Sequence, residues 1–210
     1  MTTISHKGLL LVIAAASGTG KSTVCQLLLE KMAQTKLSIS YTTRSPRKNE
    51  KNGEHYHFVS TKTFQSMIEN NELLEWAKVH DHYYGTGKQT TIDLLEQGYD
   101  VLLDIDIQGA YSIQEIFPDD AVTIFLLPPS WAVMLERLTN RGTETKEQIN
   151  RRLKTALHEL PQASKFDHIV VNDDLDETIN IIKSITSSEK TRPHQMQQVL
   201  NNLLQQLPTE

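Results

Sequence analysis

The sequence has almost no cysteine: Cys25 is the only one among 210 residues. An internal disulfide is therefore impossible, and a zinc centre built on several thiolates is excluded with it. Such usage fits a reducing compartment. A surplus of positive charge is also missing. With 21 Lys and Arg against 26 Asp and Glu, the net charge is −5, so there is no broad basic field of the kind nucleic-acid binders carry. Any anion must be held by a local cluster. Long apolar runs are absent too. Leu9–Ala16 is too short to span a membrane and ends in a loop signal. The N-terminus, Met1-Thr-Thr-Ile-Ser-His-Lys-Gly8, lacks the charged region, apolar stretch and cleavage site of a secretory signal. We expect a cytoplasmic protein with no nucleic-acid or membrane partner. No internal repeat is visible.

What is present fits a globular protein, with 38% apolar and 22% charged residues. The length suffices for one sizeable core with mobile sub-parts. Four short runs rich in Val, Ile and Leu do not alternate with polar residues: Leu9–Ala15, Val101–Ile105, Val122–Leu127 and His168–Val171. That is the pattern of parallel strands covered on both faces. Between them, Ser22–Ala33, Ala132–Leu138 and Ile149–Leu160 carry apolar residues at helical spacing. Strand and helix in alternation predict an α/β fold, a three-layer parallel sheet with flanking helices. Residues 36–87 break the rhythm. They are polar and aromatic, with short alternating pieces such as His55–Val59, and read as an inserted β-rich subdomain. The main domain then spans 1–186, with its core in 8–35, 88–133 and 155–186. Asp174, three residues before Glu177, suits the start of a helix after the last strand. Residues 187–210 read as a linker and a C-terminal amphipathic helix. Met196, Val199, Leu200, Leu203, Leu204 and Leu207 share one helical face there. We expect that face to pack on the body or on another subunit.

The most specific signal is Ala15-Ala16-Ser17-Gly18-Thr19-Gly20-Lys21-Ser22-Thr23, between a buried strand and an amphipathic helix. This is the context of a phosphate-binding P-loop. Gly18 and Gly20 let the backbone turn its N–H groups inward toward phosphate oxygens. The helix beginning near Lys21 adds the positive end of its dipole. Lys21 is spaced to reach the β- and γ-phosphates of a nucleoside triphosphate, and Ser22 to ligate its Mg²⁺. The motif usually begins with Gly, and Ala15 stands there instead, which negative φ accommodates. A P-loop alone does not choose between kinase, GTPase, motor and ATPase.

The segment after it bears on the acceptor. Arg44 and Arg47 flank Pro46 and make a stiff clamp suited to a monoester phosphate. The hydroxyls of Tyr56 and Tyr84 suit the same anion. Glu75 suits a base with adjacent N–H donors, which guanine has and adenine lacks. Taken singly, Arg44 and Arg47 read equally as solvated loop charges, and Tyr83–Tyr84 as rim packing. Asp104 and Asp106 end an apolar strand, where acids face the ligand crevice of a parallel sheet. A magnesium neighbourhood for Asp104 and a simple helix cap for either acid both remain open. Residues 134–154 are rich in arginine and read as a mobile lid, whose closure would neutralise transferring phosphoryl oxygens and exclude water. His80, Asp81 and His82 suit no standard metal site. Cys25 reads as a small buried apolar residue.

In combination these motifs resemble the guanylate kinase family. The matches are Ser17-Gly-Thr-Gly-Lys-Ser22, Thr42-Thr-Arg44-Ser-Pro-Arg47, Gly53-Glu-His-Tyr56, Tyr83-Tyr-Gly-Thr86, Leu103-Asp-Ile-Asp106-Ile-Gln-Gly109, Arg141-Gly-Thr-Glu-Thr145 and Ile169-Val-Val-Asn172-Asp-Asp174. They run from about Leu9 to Ile185. The resemblance implies transfer of the γ-phosphoryl group of ATP, carried with Mg²⁺, to GMP, with dGMP a weaker acceptor. It implies that Arg44, Arg47, Tyr56 and Tyr84 hold the GMP phosphate, and that Ser40, Glu75, Thr86 and Asp106 read the guanine. It singles out Arg137, Arg141 and Arg152 among the lid arginines and sets Asn172 near the adenine of ATP. Two other readings stay open, a binding module of the same fold without catalysis and a P-loop kinase with another acceptor. Lys21, Ser22, Arg44, Arg47, Asp104 and Arg141 favour the enzyme. The sequence leaves monomer or homo-oligomer undecided.

Overall fold

The computed structural model describes residues 7–79, 81–140 and 145–207. The chain opens with strand β1 (Leu10–Ala15), helix α1 (Lys21–Lys31) and strand β2 (Thr35–Leu37). Next come β3 (Tyr41–Thr42), β4 (His57–Phe58), α2 (Thr61–Glu69), β5 (Leu73–Val79) and β6 (His82–Gly87). The chain continues through α3 (Lys88–Glu96), β7 (Asp100–Asp104), α4 (Ile107–Ile116) and β8 (Ala121–Leu127). It ends with α5 (Trp131–Thr139), α6 (Lys146–Glu159), β9 (His168–Val171), α7 (Leu175–Glu189) and α8 (Gln197–Leu204).

Five strands form one parallel sheet in the order β2-β7-β1-β8-β9. The unalternating apolar runs follow from that position. Along β1, Leu10, Val12 and Ala14 point into one core layer, while Leu9, Leu11 and Ile13 point into the other. The first layer is closed by Leu95, Ala110, Ile113, Met134, Leu138 and Ala156 from α3 to α6. The second is closed by Val24 and Leu28 of α1 and Ile179 and Ile182 of α7. Cys25 lies in this second layer, as its apolar reading requires. The helices begin at polar caps. Asp106, Ser130 and Asp174 each accept a backbone N–H three residues on. Among the described residues, no helix is long and apolar enough to cross a membrane.

A second sheet, in the order β4-β3-β6-β5, stands beside the first. Its β5–β6 hairpin is antiparallel, with a register shift between Leu73 and Glu75. The irregularity turns both Leu74 and Glu75 inward, 7% exposed each. Two features depart from the sequence reading. β2 pairs with β7 in the parallel sheet, so residues 36 and 37 go with the core. The stretch also contains a helix, α2, capped by Ser60 and buried through Phe64 and Met67. The first half of the supposed lid is anchored as well, since Met134 and Leu138 are fully buried.

The tail is the most exposed part of the described chain. None of α8 is buried, and Leu200, Leu203, Leu204 and Leu207 are all exposed. Met196 and Val199 are half-buried, while the leucines that continue the same face stay open. Nearby, the polar Gln195 reaches Asp120 at 3.1 Å.

Candidate active site

The loop 15–23 leaves the C-terminal end of the central strand, where ligand crevices of parallel sheets lie. Gly18 and Gly20 have φ of 90° and 97°. Both values are strained for any residue with a Cβ. A side chain on Gly18 would also meet Leu138 Cγ at 2.7 Å. Ala15 adopts no such angle, because Asn71 is the only non-glycine at positive φ among the described residues. Thr19 is buried, and its hydroxyl donates to the Ala16 carbonyl at 2.7 Å, which closes the loop on itself. Ser22 and Thr23 stand exposed at the start of α1.

The back of this loop is strapped to distant elements. Arg137 donates to the carbonyls of Thr19 at 3.2 Å and Asn172 at 2.9 Å. The Asn172 amide donates to the Thr19 carbonyl at 2.7 Å, and its oxygen accepts from Thr178. Asn172 is only 2% exposed. It therefore buttresses the loop from behind. From α6, Arg152 Nε donates to Ser17 Oγ at 2.6 Å, and the Glu159 carboxylate accepts the Ser17 N–H at 3.1 Å. Arg152 and Glu159 are two helical turns apart, so one face of α6 holds Ser17 from both ends. Burial raises the pKa of Glu159, opposed by its Ser17 contact and by Lys21. Arg141, the third arginine singled out by sequence, lies outside the described residues, as does His80.

At the front of the loop, Lys21 Nζ pairs with Asp104 Oδ1 at 2.7 Å and donates to the Ile105 carbonyl at 2.7 Å. Burial works against the ammonium charge, but Asp104 more than offsets it, and the pKa is held above its ordinary value. Burial raises the Cys25 thiol far above its ordinary value, which makes it inert.

Between the two sheets lies a cavity of about 310 Å³. Lys21, Ser22, Asp104 and Asp106 line it from the parallel sheet. Ser40, Tyr56, Glu75 and Tyr84 line it from the insertion. Thr86 sits opposite Glu75 in the hairpin register and donates to its carboxylate at 2.5 Å. Burial pushes the Glu75 carboxyl up to about 7, with Thr86 opposing and Asp106 adding to the shift. Asp106 both lines the cavity and caps α4, its carboxylate accepting the Gly109 N–H at 2.8 Å. The helix-cap and ligand-facing readings of this acid thus hold together.

Arg44 lies against this wall. Its guanidinium stands over the Tyr56 ring at 5.5 Å and the Phe58 ring at 5.7 Å. Both terminal nitrogens bond the two Glu50 oxygens at 2.8 Å. Glu50 also accepts the Arg47 N–H at 2.7 Å. Hydrogen bonding to Glu50 raises the Arg44 pKa, and the same bonds lower Glu50 to about 2. The ion pair therefore persists across the whole physiological pH range. Arg47 itself is exposed and does not line the cavity.

Glu50 and Glu159 were not singled out by sequence. Glu50 is one carboxylate in a polar loop, with only its spacing from Arg47 as a signal. Glu159 had a better one, its place on the Arg152 face of an amphipathic helix.

A family model described as guanylate kinase matches residues 7–189. The guanylate kinase of Caldanaerobacter subterraneus subsp. tengcongensis is 49% identical over 189 residues, 90% of this chain and 91% of that one. That of Dechloromonas aromatica is 46% identical over 178 residues, 85% and 88% of the two chains. Among solved structures, the guanylate kinase from Anaplasma phagocytophilum superposes with a TM-score of 0.80 at 32% identity, covering 98% of both chains.

Proposed function

The chain belongs to the guanylate kinase family and is a phosphotransferase acting on GMP with ATP; we propose the division of labour among its residues. ATP lies on the loop 15–23, its β- and γ-phosphates met by the backbone N–H groups after Gly18 and by Lys21. GMP lies in the cavity between the sheets. Its phosphate is held by Arg44, Tyr56 and Tyr84, with Arg47 swinging in from the exposed turn. Its guanine is read by Glu75, Thr86, Ser40 and Asp106. Glu75 accepts from guanine N1–H and the exocyclic amine, and adenine leaves that buried carboxylate unpaired. Sites of this kind reject the wrong base strongly, because the cost of an unpaired buried group falls on the competitor.

The observation that carries this reading is the shared cavity. Lys21 and Ser22 border the same space as Glu75 and Tyr84, so donor and acceptor phosphates meet there in line. Phosphoryl transfer asks for positioning and charge neutralisation more than for a covalent nucleophile. Arg137 and Arg152 bond the loop from behind, and we assign them, with Arg141, to neutralising the charge that develops on the transferring group. Asn172 supports the loop through Thr19.

The donor set around the γ-phosphate fits Mg²⁺. Ser22 and Asp104 are hard oxygen donors on one cavity wall. Among the described residues, no group of three or more acidic, histidine or cysteine side chains makes an all-protein metal site. The ion would thus come with the nucleotide, held by Ser22 and, directly or through water, by Asp104. When bound it would neutralise phosphate charge. The cytoplasm suits the single unpaired cysteine.

A coupled assay of ADP release with GMP, dGMP, AMP, UMP and CMP tests the assignment. We expect fast turnover with GMP, slower with dGMP and almost none with the others. Equal rates with AMP would remove the role given to Glu75.

A further inference from the structure

We propose that Gly109 is a positioning residue for base selection: the side chain missing from the first turn of α4 leaves the room that the Glu75 carboxylate occupies. The inference rests on Glu75 being the group that reads guanine. Glu75 belongs to β5 of the insertion and Gly109 to α4 of the core, and the two elements pack against each other.

The position of Gly109 is fixed. Its N–H is held by the Asp106 cap at 2.8 Å, and its neighbours Ala110 and Ile113 are fully buried in the core. A Cβ at this position would lie 2.8 Å from Glu75 Oε2, 3.2 Å from Glu75 Cδ and 3.3 Å from Asp106 Oδ1. The first distance is closer than Cβ atoms approach other atoms, so something must shift. The helix backbone is tied at cap and core. The carboxylate is the far end of a flexible side chain, held by the hydroxyl of Thr86 at 2.5 Å and by its backbone N–H. The carboxylate is therefore what moves.

The fold then loses little, since alanine favours a helix over glycine. The loss falls on recognition. Two hydrogen bonds to a guanine edge need both carboxylate oxygens at fixed positions, and the added methyl displaces the nearer one. AMP, which makes neither bond, is unaffected, so the preference for GMP narrows.

The test uses the full chain, comparing wild type, Gly109→Ala, Glu75→Ala, Glu75→Asp and the Gly109→Ala/Glu75→Asp pair. Each is assayed for melting temperature, kcat and KM with GMP, and kcat/KM with AMP. For Gly109→Ala we expect an unchanged or higher melting temperature and a KM for GMP raised about tenfold, the effect of weakening a charge-assisted bond. We expect kcat within about twofold of wild type, because the contact acts through binding rather than chemistry. The shorter aspartate clears the methyl, so in the Glu75→Asp background the glycine substitution should have no further effect. A wild-type KM in Gly109→Ala would overturn the inference. So would an equal rise in the aspartate background, or a lowered melting temperature with kcat falling alongside. That background also keeps the test open if Gly109→Ala alone fails to fold. Glu75→Ala with wild-type GMP selectivity would overturn the underlying reading of Glu75 instead.

Discussion

The loop 15–23 and the proposed clamp of Arg44, Tyr56 and Tyr84 meet at one cavity, bordered by Lys21 and Ser22 on one side and by the two tyrosines on the other, yet they are built on different plans. The loop is contiguous. Its geometry comes from two glycines at positive φ and a hydroxyl closing on a carbonyl three residues back. What it offers phosphate is mostly backbone and helix dipole. The clamp is assembled from side chains scattered between Ser40 and Asp106, on two sheets, and its central cation is held by a carboxylate of its own, Glu50. A nine-residue motif can carry its chemistry in sequence. A clamp of scattered parts needs neighbours to hold each part, and those neighbours are visible only in three dimensions.

Substitutions separate the two plans. Lys21→Ala should have the largest effect, a fall in kcat of about a hundred- to a thousandfold, because one preorganised charge opposite the transferring group is lost. GMP affinity, measured by calorimetry without ATP, should stay close to wild type. A kcat near normal would break the assignment of the loop. Arg44→Ala should raise the KM for GMP roughly ten- to a hundredfold, as loss of a charge-assisted phosphate contact does, and change the KM for ATP little. If both KM values rose together, the cradles would not be separate.

The smallest effect comes from pH. Burial penalises the charge of the Glu75 carboxyl and pushes its pKa up to about 7. Guanine binding needs the charged form. The KM for GMP should be flat above about pH 8 and rise below 7, by at most about tenfold per unit. The GMP phosphate takes up its own proton near pH 6, as phosphate monoesters do. The same profile in Glu75→Gln, where only the phosphate contributes, isolates the carboxyl. The stability linkage has the opposite sense. Below its raised pKa the folded protein keeps a proton that the unfolded chain has lost, so this contribution to stability fades as pH rises through about 7. Glu75→Gln should therefore melt higher than wild type at pH 8 and no higher at pH 4.

The parallel sheet was legible because burial on both faces leaves its mark as unbroken Val, Ile and Leu runs, and because Gly18, Gly20, Lys21 and Ser22 sit between strand and helix. Helix α2 was missed although its signals are present: Ser60 as cap, then Phe64 and Met67 three apart. The aromatic, polar character of its surroundings masked them. β2 is three residues long, too short for a period to show. The tail shows the converse. Spacing foretold the apolar face of α8, but spacing says nothing about what a face touches. The contact of Asn172 with Thr19 joins residues 153 positions apart, a distance over which sequence gives no geometric signal. The same holds for Glu159 on Ser17 and for Gly109 beneath Glu75.

Lys21 and Asp104 neutralise each other at the cavity wall. On the proposed reading a bound triphosphate would compete with Asp104 for the Lys21 ammonium, and Asp104 would then be available to help hold a cation. A nucleotide bound together with its cation would leave both charges compensated, whereas a nucleotide alone would set Asp104 beside added negative charge.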